Sequence, residues 1–230
     1  MKKIKTALIS VSEKQNLKPL LNSLKKNNIK IISSGGTYKE IKKLKFKCLE
    51  VSEFTNSPEI LGGRVKTLHP KIHAGILNKR KNKEHLKDLK KNNFENIDLV
   101  VVNFYPFAET LKNTKNHNKI IENIDVGGPT MVRSAAKNYH DVTIITSTDQ
   151  YKELIDELKK NKGSTSLMFR EKLSRIAFTE TAYYDSVISN YFNKKNNVIF
   201  PKKKVFHANL IETPRYGENP HQKSAIYSKN

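Results

Sequence analysis

The run Asp98–Phe104 (DLVVVNF) limits the fold more than any other feature of this sequence. It lacks polar/apolar alternation, so both faces of a strand built from it must be covered, as in the middle of a parallel sheet. Parallel neighbours need crossover connections, usually helical, and the rest of the chain supplies them. β-rich runs at 4–10, 29–33, 48–51 and 142–146 are interleaved with helical patterns at 18–27, 84–92, 130–138, 150–160 and 166–191. Thr37 is placed to cap a further short helix, YKEIKKL. The expected class is α/β: a mostly parallel open sheet with helices on both faces and a helical C-terminal extension. In such sheets ligands sit beyond the carboxyl ends of the strands.

Composition narrows the function classes. The 43 Lys+Arg against 22 Asp+Glu give a formal net charge of +21 over 230 residues, which invites a polyanion. Arginine, the better tool for bidentate recognition, occurs only at positions 64, 80, 133, 170, 175 and 215; the rest is lysine. The surplus therefore reads as surface composition, and no nucleic-acid partner is expected. The single cysteine, Cys48, excludes an intramolecular disulfide and fits a reducing, cytoplasmic compartment. The longest aliphatic run, Leu99–Val102, is far short of the roughly 20 residues of a membrane helix, so no membrane partner is expected. The basic N-terminus leads only into Ala7-Leu8-Ile9, too short for an export signal. After Asn193 the helical period stops, so residues 1–193 read as one domain and residues 194–230 as a linker and the start of another.

Glycines and polar groups cluster at the strand ends. In SVSEK, Ser12 and Lys14 at a strand-to-helix turn suit an anion, although N-capping by Ser12 explains the hydroxyl equally. In SSGGT, the paired Gly35 and Gly36 let backbone approach a phosphate, with Ser34 and Thr37 as flanking donors. This is neither a Walker A loop nor GxGxxG, so no nucleoside triphosphate is implied, and a tight turn is the competing account. GGRVKTLHP is the densest polar stretch. In an extended segment Arg64 and Lys66 would project to the same side and clamp a carboxamide or phosphate. His69 and His73 have a metal-like spacing, but Pro70 lies between them and no third ligand is evident, so no metal is expected. NFYPF puts the Asn103 amide and the Tyr105 phenol after the most apolar strand, where a turn with aromatic packing would use the same residues. In IDVGG, Asp125 suits proton transfer, and backbone N–H groups around Gly127 and Gly128 suit an oxyanion. Lys137 lies on the helix that follows; alone, it is explained by a surface salt bridge.

Taken in order, SVSEK, SSGGT, GGRVKTLHP, NFYPF, IDVGG and RSAAKN resemble one family over residues 4–222. It is the N-terminal inosine monophosphate (IMP) cyclohydrolase domain of the bifunctional purine-biosynthesis enzymes that also carry phosphoribosylaminoimidazolecarboxamide (AICAR) formyltransferase. Departures are mild: Glu13 where Asp is common, Val126 where Ile is common, Phe104 in an aliphatic slot and Pro214 where Leu is usual. The resemblance implies a methylglyoxal-synthase-like fold that closes 5-formamido-imidazole-4-carboxamide ribotide to IMP and water without a cofactor. It implies Lys66, Tyr105, Asp125 and Lys137 as catalytic groups. The ribotide phosphate would lie on Ser12, Lys14, Ser34, Gly35, Gly36 and Thr37. Arg64, Thr67 and Asn103 would orient the base, and the amides of Val126 and Gly127, beside Gly128, would hold the oxyanion.

RYGENPHQ resembles the opening of the formyltransferase domain, where Arg215 and Tyr216 would hold AICAR; that domain uses 10-formyltetrahydrofolate. The implied partner of this chain is a small ribonucleotide, and the full-length proteins of the family are homodimers. Rival readings are a nucleotide-sensing regulatory domain of the same fold, which has no reason to carry KTLHP, NFYPF and RSAAKN, and a basic nucleic-acid-binding protein.

Overall fold

The computed structural model describes residues 1–219 and 221–229. A short strand β1 (Lys2–Lys3) precedes β2 (Thr6–Val11), helix α1 (Leu17–Lys26), β3 (Lys30–Ser33) and α2 (Gly35–Lys43). Then come β4 (Leu49–Glu50), α3 (Val51–Thr55), a 3-10 turn at Leu61–Gly63, α4 (Pro70–Leu77) and α5 (Lys83–Lys91). Next are β5 (Leu99–Asn103), α6 (Phe107–Asn113), α7 (His117–Glu122), α8 (Gly127–Lys137) and β6 (Thr143–Ile145). A 3-10 turn at Thr148–Gln150 leads into α9 (Tyr151–Lys160), β7 (Ser164–Thr165), α10 (Leu167–Lys195), β8 (Asn209–Glu212) and β9 (Ile226–Ser228).

The main sheet has the order β4-β3-β2-β5-β6, with all of its pairings parallel. Leu99, Val100, Val101 and Val102 of β5 are all essentially inaccessible. Successive side chains on a strand point to opposite faces, so both faces of the sheet are covered, as the unalternated sequence requires. Helix α1 buries Leu17, Leu20, Leu21 and Leu24, a helical-period stripe, and packs against α9. Helix α8 buries Met131, Val132, Ala135 and Ala136 and packs on β5, β6 and α4. Chain order runs outward from β2 through β3 and β4, then returns to β5 on the other side of β2. This reversal opens a crevice at the carboxyl ends of β2 and β5, where Val11 pairs with Asn103.

The structure departs from the sequence expectations at the glycine motifs. Helix α2 begins at Gly35 behind an extended Ser34, so Gly35-Gly36-Thr37 is its first turn, and Thr37 does not precede it. Likewise α8 begins at Gly127, and Gly127-Gly128-Pro129 is helical from the start. The segment carrying Arg64 and Lys66 is not extended. Leu61, Gly62 and Gly63 have φ of 52°, 62° and 89°, and the chain then turns through Lys66 N–H to Gly63 C=O (3.4 Å) and Leu68 N–H to Val65 C=O (2.9 Å). Helices α3, α4, α6 and α7 were not expected from the sequence; each is short, and α4 starts on Pro70 with His69 as its cap.

The described chain divides into two compact units, Met1–Thr181 and Ala182–Asn230, the division falling inside α10. In the second unit Asn209 donates to the Tyr183 hydroxyl (3.1 Å), and His207 stacks edge-on against Tyr183. Strands β8 and β9 pair antiparallel, and Arg215 and Tyr216 lie exposed in their connection. The RYGENPHQ motif also includes Pro220, which lies outside the described residues, as does Asn230.

Candidate functional site

A cavity of about 680 Å³ opens in the crevice at the carboxyl ends of β2, β3 and β5. Ser12, Lys14, Ser34, Gly35, Gly36, Thr37, Arg64, Lys66, Thr67, Asn103, Tyr105, Asp125, Val126, Gly127 and Gly128 all line it. Of the residues the resemblance implies for ring closure, one does not. Lys137 is exposed in the last turn of the 11-residue α8, roughly 15 Å along the axis from Gly127 at 1.5 Å per residue. Arg215 and Tyr216 belong to the second unit.

At one end of the cavity is the N-terminus of α2. The amides of Gly35, Gly36 and Thr37 have no intrahelical acceptor and carry the positive end of the helix dipole. A Cβ on Gly35, which has φ +53°, would lie 2.7 Å from Lys66 Nζ, and one on Gly36 would lie 3.9 Å from Lys14 Nζ. Two ammonium groups thus stand over the two glycines; a side chain at Gly35 would crowd Lys66, whereas one at Gly36 would make only ordinary contact with Lys14. The Thr37 hydroxyl is already committed: it donates to Val11 C=O and accepts from Val11 N–H, both at 2.9 Å. It ties β2 to α2 and leaves its backbone amide for a ligand. Lys14 also donates to Ser12 C=O at 3.1 Å.

The other end is built on the N-terminus of α8. The Asp125 carboxylate accepts the Gly128 N–H at 2.8 Å, capping the helix. Burial pushes its carboxyl above the usual carboxylate range, opposed by the Gly128 and Tyr105 backbone N–H groups. The Thr67 hydroxyl packs against Gly127, 2.6 Å from where a Cβ there would sit. Tyr105 is exposed at the mouth. Asn103 lines the cavity, but its amide is used internally: Oδ1 accepts from Ser12 N–H (2.7 Å) and Glu13 N–H (3.0 Å), and Nδ2 donates to Glu13 C=O (3.3 Å). Its evident work is to hold the turn after β2.

The expected clamp of Arg64 and Lys66 is not formed. The turn sends Arg64 to Glu122 on α7 (2.6 Å) and Lys66 back to Glu59 (2.9 Å). Neither acid carries a local sequence signal. Glu122 and Ile121 line the cavity, yet they sit on a short helix without a local motif, and Glu59 lies ahead of the glycines. The remaining motif residues do structural work. His69 Nδ1 accepts Lys71 N–H at 3.1 Å, and His73 Nδ1 is 3.1 Å from Ser134 Oγ. Arg170, buried, donates to the carbonyls of Tyr139 (2.7 Å), His140 (3.0 Å) and Thr165 (2.6 Å).

Comparison with known proteins gives a consistent picture. Residues 16–130 match the family model of the MGS-like domain, and residues 135–230 match that of the AICARFT/IMPCHase bienzyme. The chain is 50% identical over 225 residues to the bifunctional purine biosynthesis protein PurH of Prochlorococcus marinus subsp. pastoris, covering 97% of this chain and 43% of that protein. It is 44% identical over 227 residues to PurH of Bradyrhizobium diazoefficiens, covering 99% of this chain and 43% of that protein. It therefore spans less than half the length of these relatives. Among solved structures, the crystal structure of ForH matches with a TM-score of 0.73 and 28% identity, covering 82% of this chain and 99% of that one. Among the described residues no helix is long and apolar enough to cross a membrane.

Proposed function

Because the chain belongs to the MGS-like domain family and is homologous to the bifunctional purine biosynthesis protein PurH, we propose that its cavity is an IMP cyclohydrolase site, closing the formylated ribotide to IMP. The observation that carries this reading is the opening of two glycine-started helices, α2 and α8, into one cavity. One end carries lysines, the other a half-buried carboxylate.

Ring closure joins the carboxamide nitrogen to the formyl carbon. The carboxamide nitrogen gives up one proton and the formyl oxygen gains one; the resulting carbinol hydroxyl then leaves as water while the former formamido nitrogen loses its proton and forms the C=N bond. In this reading the ribotide phosphate sits on the free amides of α2 with Lys14 and Lys66 as counter-charges. The N-terminal amides of α8, Val126 and Gly127, face the developing oxyanion. Asp125, with its carboxyl held above the usual range by burial, is the group suited to move the proton between nitrogen and oxygen. Lys66 and Tyr105 flank the same space from the cradle and the mouth. Lys137 is given no step here, because it does not line the cavity.

We expect no cofactor for this step, a small ribonucleotide as the partner, neither nucleic acid nor membrane as a ligand, and a cytoplasmic setting. Folate-dependent formylation of AICAR with 10-formyltetrahydrofolate is expected to require the portion of the longer relatives that this chain does not match, and homodimerisation is expected of the full-length protein. Ultraviolet detection of IMP formed from the formylated ribotide, by wild type and by Lys66→Ala, tests the reading. Turnover that collapses in the variant supports it; no turnover, or equal turnover, sinks it.

A further inference from the structure

Both cations that reach this cavity from the segment after the 3-10 turn are already paired. Lys66 Nζ, above Gly35, is 2.9 Å from Glu59 Oε1, and Arg64 is 2.6 Å from Glu122 Oε1. The first pair is made possible by the three consecutive left-handed residues Leu61, Gly62 and Gly63, which reverse the chain and bring Glu59 back onto Lys66. A Cβ on Gly63 would meet Glu59 Oε1 and lie 3.3 Å from Lys66 Nζ, so the pair rests against this glycine. The second pair joins the turn to the end of α7.

These pairs are wet. The side chains of Arg64 and Glu122 are 65% and 63% exposed, and those of Lys66 and Glu59 are 22% and 42% exposed. Exposed pairs are worth only about 0–1 kcal/mol, so neither holds the fold strongly and either can be exchanged. A phosphate monoester on the α2 amides would lie beside Lys66 Nζ and compete directly with the Glu59 carboxylate, its like charge. A ligand reaching on across the cavity to Arg64 would compete with Glu122.

We infer that Glu59 and Glu122 are exchangeable counterions, specificity-determining residues that pair with Lys66 and Arg64 and are displaced in turn by the two ends of an anionic nucleotide. The inference rests on the nucleotide reading of the cavity. Glu59 raises the threshold for a stray anion at the α2 amides, Glu122 raises it only for a ligand long enough to reach Arg64, and each retakes its cation as product leaves. A small anion displaces Glu59 alone; a nucleotide displaces both.

The experiment is calorimetric titration with IMP and, separately, with inorganic phosphate, using wild type, Glu59→Gln, Glu122→Gln, Arg64→Met and the Arg64→Met/Glu122→Gln double variant. Glu59→Ala is a second route to the same release, and circular dichroism checks folding. Glu59→Gln is expected to tighten both ligands roughly two- to five-fold, the range an exposed pair can supply. Glu122→Gln is expected to tighten IMP by a similar factor, to leave inorganic phosphate unchanged, and to lose its effect when Arg64 is already Met. A gain that persists in the Arg64→Met background would show only a long-range field and overturn the inference. So would weaker binding in both Glu variants, which would make the acids positioning groups, or binding of neither ligand by any variant. Phosphate that responds to Glu59→Gln while IMP binds no better than phosphate would remove the nucleotide reading and the Glu122 arm, yet keep the Glu59 exchange.

Discussion

Gly128→Ala separates the chemistry of Asp125 from the stability of the helix that carries it. Gly128 is the second residue of α8, is buried, and has an ordinary helical backbone. Alanine is favoured over glycine in a helix by about 1 kcal/mol, so local propensity pulls toward greater stability. The added methyl, however, would touch Asp125 Oδ2 and lie 2.9 Å from its Cγ and 3.0 Å from Oδ1. The carboxylate cannot stay; it must rotate off the Gly128 N–H that it accepts at 2.8 Å. A hydrogen bond to a charged group contributes roughly 1.5–3 kcal/mol, and 1.36 kcal/mol is a decade in rate. If the orientation of Asp125 is what the N–H supplies to the reaction, kcat for ring closure falls roughly 10- to 150-fold, while the melting temperature moves by only a few degrees. Initial rates of IMP formation by ultraviolet absorbance, with a thermal melt of the same preparation, decide it. A kcat within two-fold of wild type in a folded protein would refute the assignment of Asp125.

Other consequences follow from the same geometry. Asp125→Asn abolishes turnover but raises the melting temperature at neutral pH, because a carboxyl raised by burial costs stability when ionised. The sign follows from the raised folded value: that carboxyl's favourable contribution is full below about pH 3.9, the ordinary Asp value, and is lost as pH rises through the higher folded value. The gap between variant and wild-type melts therefore closes in acid; a gap that is constant with pH removes the argument. Thr37→Val leaves the Val11 N–H and C=O without their partner and costs about 1–3 kcal/mol by urea denaturation, with a raised KM; an unchanged midpoint would contradict it. Arg170→Met orphans the carbonyls of Tyr139, His140 and Thr165 and lowers the urea midpoint, while kcat per folded molecule stays at the wild-type value.

The fold was legible where one local rule decides. Leu99–Val102 could only be an interior strand, and the leucine stripe of α1 could only be an amphipathic helix. The cavity was legible for the same reason, since its hydroxyls and glycines directly follow strand ends. Legibility failed where a local signal has two physical outcomes. Paired glycines serve a loop or a helix N-terminus equally well, and Gly35-Gly36 and Gly127-Gly128 took the second role because the ends of β3 and the IDV segment deliver the chain straight into a helical turn. It failed again where partners are distant in sequence. Asn103 binds a backbone 91 residues away and Arg64 an acid 58 residues away, separations that no spacing rule spans.

Lys137 shows a third limit. RSAAKN is a recognisable string, but its lysine stands at the far end of α8 from the glycines that open into the cavity. Its place in the reaction rests on the resemblance alone, because along this helix it stands apart from the groups that line the cavity. The groups that do meet here, Lys66 over Gly35 and Asp125 over Gly128, do so because each glycine lacks the Cβ that would displace them. In this chain the missing side chains of SSGGT and IDVGG, more than the reactive ones of RSAAKN, are what bring charge into the cavity.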